Sequence, residues 1–300
     1  MKKIVSYLRF MYYNWLGKRN PKLLCEIRFK EFFGREINWD DPQDINEKIN
    51  WLKFNSDTSL WTRLADKYAV REYVKSKGYG ENMAKLYGKW DDAIQINWDT
   101  LPNKFVMKLN NGSGDAVICA DKDKLNKQKI ITYFNHKIKK GFGYVSAEPH
   151  YLAIKPCIIA EELLDVTKQP IKTSSLIDYK IWCFNGKPEC IWACYNRTKE
   201  SVKVDVYDLE WNCHPEYSEY TEYYQKADML IPKPKSLDKM LQMAASLSEG
   251  FPQVRVDLYE VNDKPYFGEL TFTSSMGYMD FYTPEYLYYL GRKFSLKSKE

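Results

Sequence analysis

Histidine is scarce in this chain: His136, His150 and His214 are the only three, and they stand too far apart to suggest a ligand set. Cysteine builds no framework. There are seven, an odd number with no C-x-x-C pair, which argues against a disulfide scaffold and against a zinc site. Cys190 and Cys194 lie four apart in a strand-like stretch and read as packing. The chain has no internal repeat and no low-complexity segment. Its net charge of +5 is small for 300 residues and is spread along the chain, so it makes no case for nucleic acid. A D-x-D spacing occurs at Asp121-Lys122-Asp123, where the two acids read as the start of a lysine-rich helix. What remains is the composition of a soluble cytoplasmic enzyme, long enough for one or two compact domains.

The most informative stretch is Gln253 to Gly277. Two alternating runs, Val254 to Val261 and Tyr266 to Phe272, flank the turn residues Asn262, Asp263 and Lys264 and predict a β-hairpin. Alternation puts Arg255, Asp257 and Tyr259 on one face of the first strand, and Phe267, Glu269 and Thr271 on one face of the second. A loop of Asn262 to Lys264 sets Asp257 opposite Glu269. Unpaired charge on a half-buried sheet is costly, so such a cluster implies partners or a ligand. Two facing carboxylates suit a magnesium ion that also holds phosphates. The alternative is an Arg255–Asp257 ion pair beside a solvated Glu269.

A second segment, Phe105 to Leu109, reads as a short strand carrying Lys108 and leading into Asn110-Asn111-Gly112-Ser113-Gly114-Asp115. Small, permissive residues let such a loop close over phosphate oxygens through its N–H groups, with the strand lysine as a point charge. No G-K-[ST] follows the glycines, so it is not a Walker A loop, and a plain turn is the common alternative. Between these segments lie Ile158 to Leu164, an apolar strand ending in Glu161 and Glu162 before two leucines, and Asp178 to Phe184, a strand with Asp178 and Lys180 on one face.

The four pieces in this order resemble the ATP-grasp superfamily. The resemblance extends to its TupA-like branch, associated with teichuronopeptide and other surface-polysaccharide biosynthesis, through Asn46 to Lys53 (N-E-K-I-N-W-L-K) and Ala65 to Val74 (A-D-K-Y-A-V-R-E-Y-V), and covers most of the chain from Asn46 onward. It implies an α+β fold of two α/β lobes clamping ATP, with ATP and Mg2+ as cofactors. By that resemblance Lys108 contacts the nucleotide phosphates and Asn111, Gly112, Ser113 and Gly114 belong to the lid over them. Glu161 and Glu162 occupy the hinge that reads the adenine edge, and Leu164 supplies a backbone N–H there. Asp178 faces the ribose hydroxyls, Lys180 a phosphate, and Arg255 the transferred phosphoryl group. Asp257 and Glu269 are the magnesium carboxylates. Many ATP-grasp enzymes have Asn two residues after the second of these, where this chain has Thr271, so the third ligand is left open.

The implied chemistry is carboxylate–amine ligation: ATP phosphorylates a carboxylate, and an amine displaces phosphate from the acyl phosphate through a tetrahedral intermediate. Positioning and charge neutralisation suffice, without a nucleophilic side chain. The family points to a uronic-acid-containing glycan or its lipid-linked precursor joined to an amino acid or amine, in capsule or cell-envelope biosynthesis. Two other readings stand beside it, a glycosyltransferase of the same pathway and a nucleotide-binding protein without catalysis. Tyr278, Phe281, Tyr282, Tyr286 and Tyr288 suit stacking on sugar faces, with core packing preferred for at least half.

The expected organisation is a helical N-terminal extension over residues 1–61, interrupted at Pro42, and an ATP-grasp domain over 62–300. In it, Thr62 to Gly88 reads as helix then glycine turn, about 105–164 as the smaller lobe, and about 176–300 as the larger. Lys122 to Lys140 reads as a helix inside the smaller lobe and Ser236 to Glu249 as the larger lobe's helix. Lys2, Lys3, Arg9, Lys18 and Arg19, interleaved with apolar and aromatic residues, suit a helix on an anionic membrane surface, which would place the enzyme at the inner face of the membrane. The segment is too short and charged to span a bilayer and lacks a signal-peptide cleavage site. A helix packed on the protein body is the preferred reading.

Overall fold

The computed structural model of the chain describes residues 2–112, 114 and 116–296; Ser113 and Asp115 of the glycine-rich loop lie outside the described residues. The chain begins with helices α1 (Lys2–Arg19), α2 (Pro21–Phe33), α3 (Ile45–Asn55), α4 (Ser59–Ala65) and α5 (Val70–Ser76). Strands β1 (Leu86–Trp90), β2 (Phe105–Leu109) and β3 (Val117–Cys119) follow, then α6 (Lys127–Lys140), α7 (Pro149–Leu152) and β4 (Ile158–Glu161). The remainder is β5 (Asp178–Phe184), β6 (Lys187–Tyr195), β7 (Val202–Tyr207), β8 (Tyr224–Lys226), α8 (Leu237–Ser248), β9 (Gln253–Val261), β10 (Lys264–Thr271) and α9 (Pro284–Gly291).

Two compact units are built from this order. The first comprises Met1–Cys25, Asp57–Lys75 and Met83–Leu164; the second Glu26–Ser56, Ser76–Asn82 and Asp165–Glu300. The stretches read as smaller and larger lobes fall inside the first and second units respectively, while the N-terminal segment through Trp61 is shared between the two.

In the first unit, an antiparallel sheet of order β1-β4-β2-β3 forms the centre. Strand β2 alternates strictly: Phe105, Met107 and Leu109 enter the core with Ile158, Ala160 and Phe134, leaving Lys108 on the opposite face. Helix α6 covers the core with Ile130 and Phe134, one turn apart. It starts later than the lysine run suggests because Asn126 caps it, accepting from Lys129 N at 2.9 Å. Asp121 caps a separate short turn, Lys122–Lys124. The expected helix from Thr62 is likewise two short ones, split where the Asp66 carboxylate accepts from Tyr68 N (2.8 Å) and Ala69 N (3.1 Å).

The second unit carries a six-stranded sheet of order β10-β9-β5-β6-β7-β8, antiparallel except for the β7–β8 pair. Helix α8 packs on one face through Met240, Met243, Ala244 and Leu247 against β5, β6 and β9. Glu260 fixes the start of α8 by accepting from Ser236 N at 2.7 Å and from its hydroxyl at 2.5 Å. The other sheet face carries Asp178 and Lys180 of β5, Arg255 and Asp257 of β9, and Glu269 and Thr271 of β10.

The hairpin is present, and Asp257 does stand opposite Glu269, by a route different from the one expected. The turn is two residues, Asn262 and Asp263, both with positive φ (54° and 59°), and Lys264 already pairs with Val261. A bulge at Gly268 supplies the missing residue and shifts the register by one. The two-residue turn sets Phe267 opposite Leu258, on the α8 side, and the bulge then puts Glu269 on the other face, so the two do not share one. Only glycine fits the bulge: a Cβ there would stand 2.9 Å from Asp257 O and 3.0 Å from the Tyr259 ring.

Candidate functional site

In the second unit, the register of β5 against β9 sets Lys180 beside Asp257. Lys180 Nζ binds Asp178 Oδ2 at 2.5 Å and also contacts Asp257 Oδ2. Arg255, two residues before Asp257 on the same face, grips it with a fork: Nε donates to Oδ1 at 2.7 Å and Nη2 to Oδ2 at 2.8 Å. Its third nitrogen, Nη1, donates to Ser274 Oγ at 2.5 Å. Thr271 bridges the strands, its hydroxyl accepting from Arg255 Nη2 and donating to Glu269 Oε1, both at 3.2 Å. Asp178, Lys180, Arg255, Asp257, Glu269 and Thr271 therefore form one connected cluster.

Burial sets the electrostatics of this cluster. Burial pushes the Asp178 carboxyl above its ordinary value, against the pull of Lys180 and with Asp257 adding to the rise. For Lys180 burial works the other way, yet Asp178 and then Asp257 outweigh it and hold the ammonium above the ordinary lysine value. Arg255 is likewise raised, the penalty of burial being overcome by Asp257 and its hydrogen bonds. Asp178 Oδ1 is buried without a partner, an acceptor suited to a hydroxyl or other donor. Arg197, which the sequence reading passed over, stands at the rim with Nη2 3.9 Å from Asp178 Oδ2 and Nη1 donating to Tyr223 OH at 3.1 Å.

The oxygen donors fit magnesium. Asp257 and Glu269 face each other and the Thr271 hydroxyl is adjacent, the hard-ligand chemistry that cation takes. Asp257 is 1% exposed with both oxygens engaged, whereas Glu269 is 34% exposed and is the open member. Among the described residues no group of three or more His, Cys, Asp and Glu side chains is arranged to hold a metal, so phosphate oxygens and water would complete the shell.

The N-E-K-I-N-W-L-K segment acts on this cluster from behind. One face of α3 holds the turn that follows β10: Asn46 Oδ1 accepts from Met279 N (2.9 Å), Asn50 Nδ2 donates to Gly277 O (2.8 Å) and Lys53 Nζ to Met276 O (3.0 Å). That turn has three successive positive φ values, at Ser275, Met276 and Gly277 (47°, 63° and 84°), and contains Ser274, the partner of Arg255. Two non-glycine residues in the left-handed region persist only where the surroundings over-determine them. The spacing 46, 50, 53 is the signal by which sequence reasoning could have found this brace.

In the first unit, Lys108 Nζ binds Glu161 Oε2 at 2.6 Å, and Arg71 Nη1 binds Glu161 Oε1 at 2.8 Å. The Glu161 carboxylate is thus the counter-ion of two cations. Glu162 binds the residue before β1, its N–H donating to Lys85 O (2.8 Å) and its carboxylate accepting from Lys85 N (3.2 Å); Leu164 is buried just beyond. The A-D-K-Y-A-V-R segment supports the loop as well: Lys67 N donates to Asn110 O at 3.0 Å and Lys67 Nζ to Gly112 O at 2.7 Å. Asn110 stitches β2 to β4, accepting from Cys157 N (2.7 Å) and donating to Lys155 O (3.0 Å). Asn111 is buried, with Oδ1 unpartnered, and Gly114 has a φ of 73°. Ser113, expected in the same loop, lies outside the described residues.

Other expected residues have other places. Of the five aromatics proposed for sugar stacking, Tyr278, Phe281, Tyr282 and Tyr286 are core, and only Tyr288 is exposed. Cys190 and Cys194 are buried in β6, where desolvation pushes both thiols up to about 12. Asp121 of the D-x-D spacing is engaged as a cap and in an ion pair with Lys124.

A family model described as TupA-like ATPgrasp matches residues 47–295. Comparison with functionally curated proteins returns no significant match. Among solved structures, D-alanine–D-alanine ligase from Bacillus anthracis is 14% identical with a TM-score of 0.40, over 70% of this chain and 57% of its own. L-amino acid ligase from Bacillus licheniformis is 13% identical with a TM-score of 0.45, over 77% and 49%. Phosphoribosylamine–glycine ligase from Thermotoga maritima is 10% identical with a TM-score of 0.41, over 70% and 48%. The chain thus spans roughly half the length of each of these proteins.

Proposed function

The chain belongs to the TupA-like ATP-grasp family, and we propose that it is an ATP-dependent carboxylate–amine ligase working through an acyl phosphate. The observation that carries this reading is the register that sets Asp257 against Glu269 while Lys180 and the Arg255 fork converge on Asp257. Such a face holds fixed positive charge where a phosphoryl group gathers negative charge in transfer, with nothing to reorganise. Asp257, Glu269 and the Thr271 hydroxyl would hold magnesium, which would supply neutralisation of phosphate charge there. Arg255 and Lys180 stabilise the transferred group, and Asp178 Oδ1 accepts from a ribose hydroxyl. Lys108 contacts phosphate and keeps Glu161 as its resting counter-ion. Asn111, Gly112 and Gly114 cover the phosphates; the Glu161–Leu164 backbone and Glu162 receive the adenine.

Once the acyl phosphate is formed, attack by an amine expels phosphate, and the amine's proton leaves with solvent. The electrophile we assign is a uronic-acid carboxylate on a glycan or its lipid-linked precursor, and the nucleophile an amino acid or amine, in cell-envelope polysaccharide synthesis. The test is ADP and phosphate release from ATP and magnesium with a panel of uronic acids and amines, comparing the wild type with Glu269→Ala. Carboxylate-dependent release, lost in the variant, is the expected result. Release indifferent to any carboxylate, or nucleotide binding without turnover, would overturn it.

A further inference from the structure

Helix α1 has two unlike sides. One is occupied: Tyr13, Leu16 and Gly17 are buried, a Cβ on Gly17 would run into Tyr144 O at 2.0 Å, and the Lys18 ammonium lies 5.0 Å from the Tyr144 ring centre. The other is bare. Ile4 (66% exposed), Tyr7, Leu8 (60%), Met11, Tyr12 and Trp15 (50%) fall on one side of the helix by their spacing of three and four, and all face solvent. A contiguous apolar patch on an otherwise polar surface marks an interaction site. No acidic residue occurs anywhere in Lys2–Arg19, whereas five basic residues do: Lys2, Lys3, Arg9, Lys18 and Arg19.

We propose that this face of α1 seats the protein on an anionic lipid surface, the apolar side chains entering the headgroup region and the flanking bases meeting lipid phosphates. Two physical points select that occupant. Tyr and Trp on the bare face are the side chains that settle at a membrane–water boundary, and an all-basic helix gains from a negative surface, about five-fold in affinity per lysine or arginine near it. A second copy docking through the same face would bring two acid-free basic helices together, a like-charge arrangement that opposes association. Among the described residues no helix is long and apolar enough to cross a membrane, so the contact is peripheral. The proposal is independent of the ligase reading.

The test is sedimentation of the full chain with vesicles of phosphatidylcholine alone or of phosphatidylcholine mixed with phosphatidylglycerol, at low and high salt. We expect co-sedimentation with the anionic vesicles, weakened by salt, and reduced more than ten-fold in Leu8→Asp and Tyr12→Asp, whose side chains lie on the bare face, Tyr12 beside the Tyr13 and Trp15 rings of its own helix, and whose fold is checked by unchanged thermal unfolding. The salt dependence of the wild type stands whatever the variants do. A wild type that stays in the supernatant, binds both vesicle types equally, or forms a salt-resistant dimer abolished by Leu8→Asp would overturn the proposal.

Discussion

In the first unit one carboxylate, Glu161, answers two cations, Lys108 and Arg71, and both keep some access to water at 25% and 13% side-chain exposure. In the second unit three carboxylates, Asp178, Asp257 and Glu269, interlock with Lys180 and Arg255 on a sheet face where Asp257 is 1% exposed. The first arrangement leaves a surplus of positive charge held loosely, suited to an arriving anion. The second is acid-rich and tightly enclosed, with Arg197 only at its rim. Since a buried pair is costly to break and gives little net stability when intact, substitutions in the second cluster should cost more stability than those in the first. That difference is measurable.

The largest effect is expected at Asp257. Asp257→Ala strands Arg255 and Lys180 in the interior and should cost about 3–5 kcal/mol of stability, read as a large fall in Tm together with loss of turnover. Glu269→Ala removes the exposed partner, so it should abolish turnover with Tm almost unchanged. Equal Tm losses in the two variants would erase the distinction drawn within the second unit. Next is Glu161→Gln, which leaves two half-screened cations and should cost about 1–3 kcal/mol. Lys108→Ala should instead spare stability and raise KM for ATP about ten-fold or more, the worth of a charged hydrogen bond. A Glu161 variant as damaging as Asp257→Ala would show that the first unit is no looser than the second.

Alternation in 254–261 and 105–109 gave the strands and their charged faces, because one buried face fixes a period of two. The facing of Asp257 and Glu269 was reached with the wrong turn, and the bulge was hidden because Gly268 looks like any strand glycine until Asp257 O and the Tyr259 ring are seen beside it. Arg71 and the α3 brace were written in segments quoted only for family likeness; their partners, Glu161 and the 276–279 backbone, are 90 and more than 220 residues away. Periodicity carries no information over such separations. Asp178 and Lys180 could be placed on one face, but the sharing of Lys180 between two acids depends on β5 lying next to β9.

Gly268→Ala tests the enclosed cluster without touching charge, since its Cβ would press on Asp257 O and the Tyr259 ring. Overpacking of this kind should cost about 1–3 kcal/mol and, by shifting the register, lower kcat at unchanged ATP affinity. A variant with full activity would show that the bulge does not set the Asp257–Glu269 pairing.

The smallest effect is expected at a charged group on the rim of the second unit, where solvent should leave little coupling of either kind. His214 Nδ1 lies 2.8 Å from Glu216 Oε1 and Nε2 3.4 Å from Asp208 Oδ2. The hydrogen bond to Glu216, opposed by partial burial and helped by Asp208, raises the His214 pKa above its ordinary 6.5. A raised folded-state value means that the folded form binds the proton more tightly, so this contribution to stability is complete below pH 6.5 and lost as pH rises through the folded pKa. Glu216 is 60% exposed, so screening holds the pair to about 0.2–1 kcal/mol. His214→Gln should therefore flatten a shallow decline in Tm above pH 6.5 and leave turnover unchanged. A Tm loss approaching that of Glu161→Gln would mean that exposure is not what separates the strong charge clusters of this protein from the weak ones.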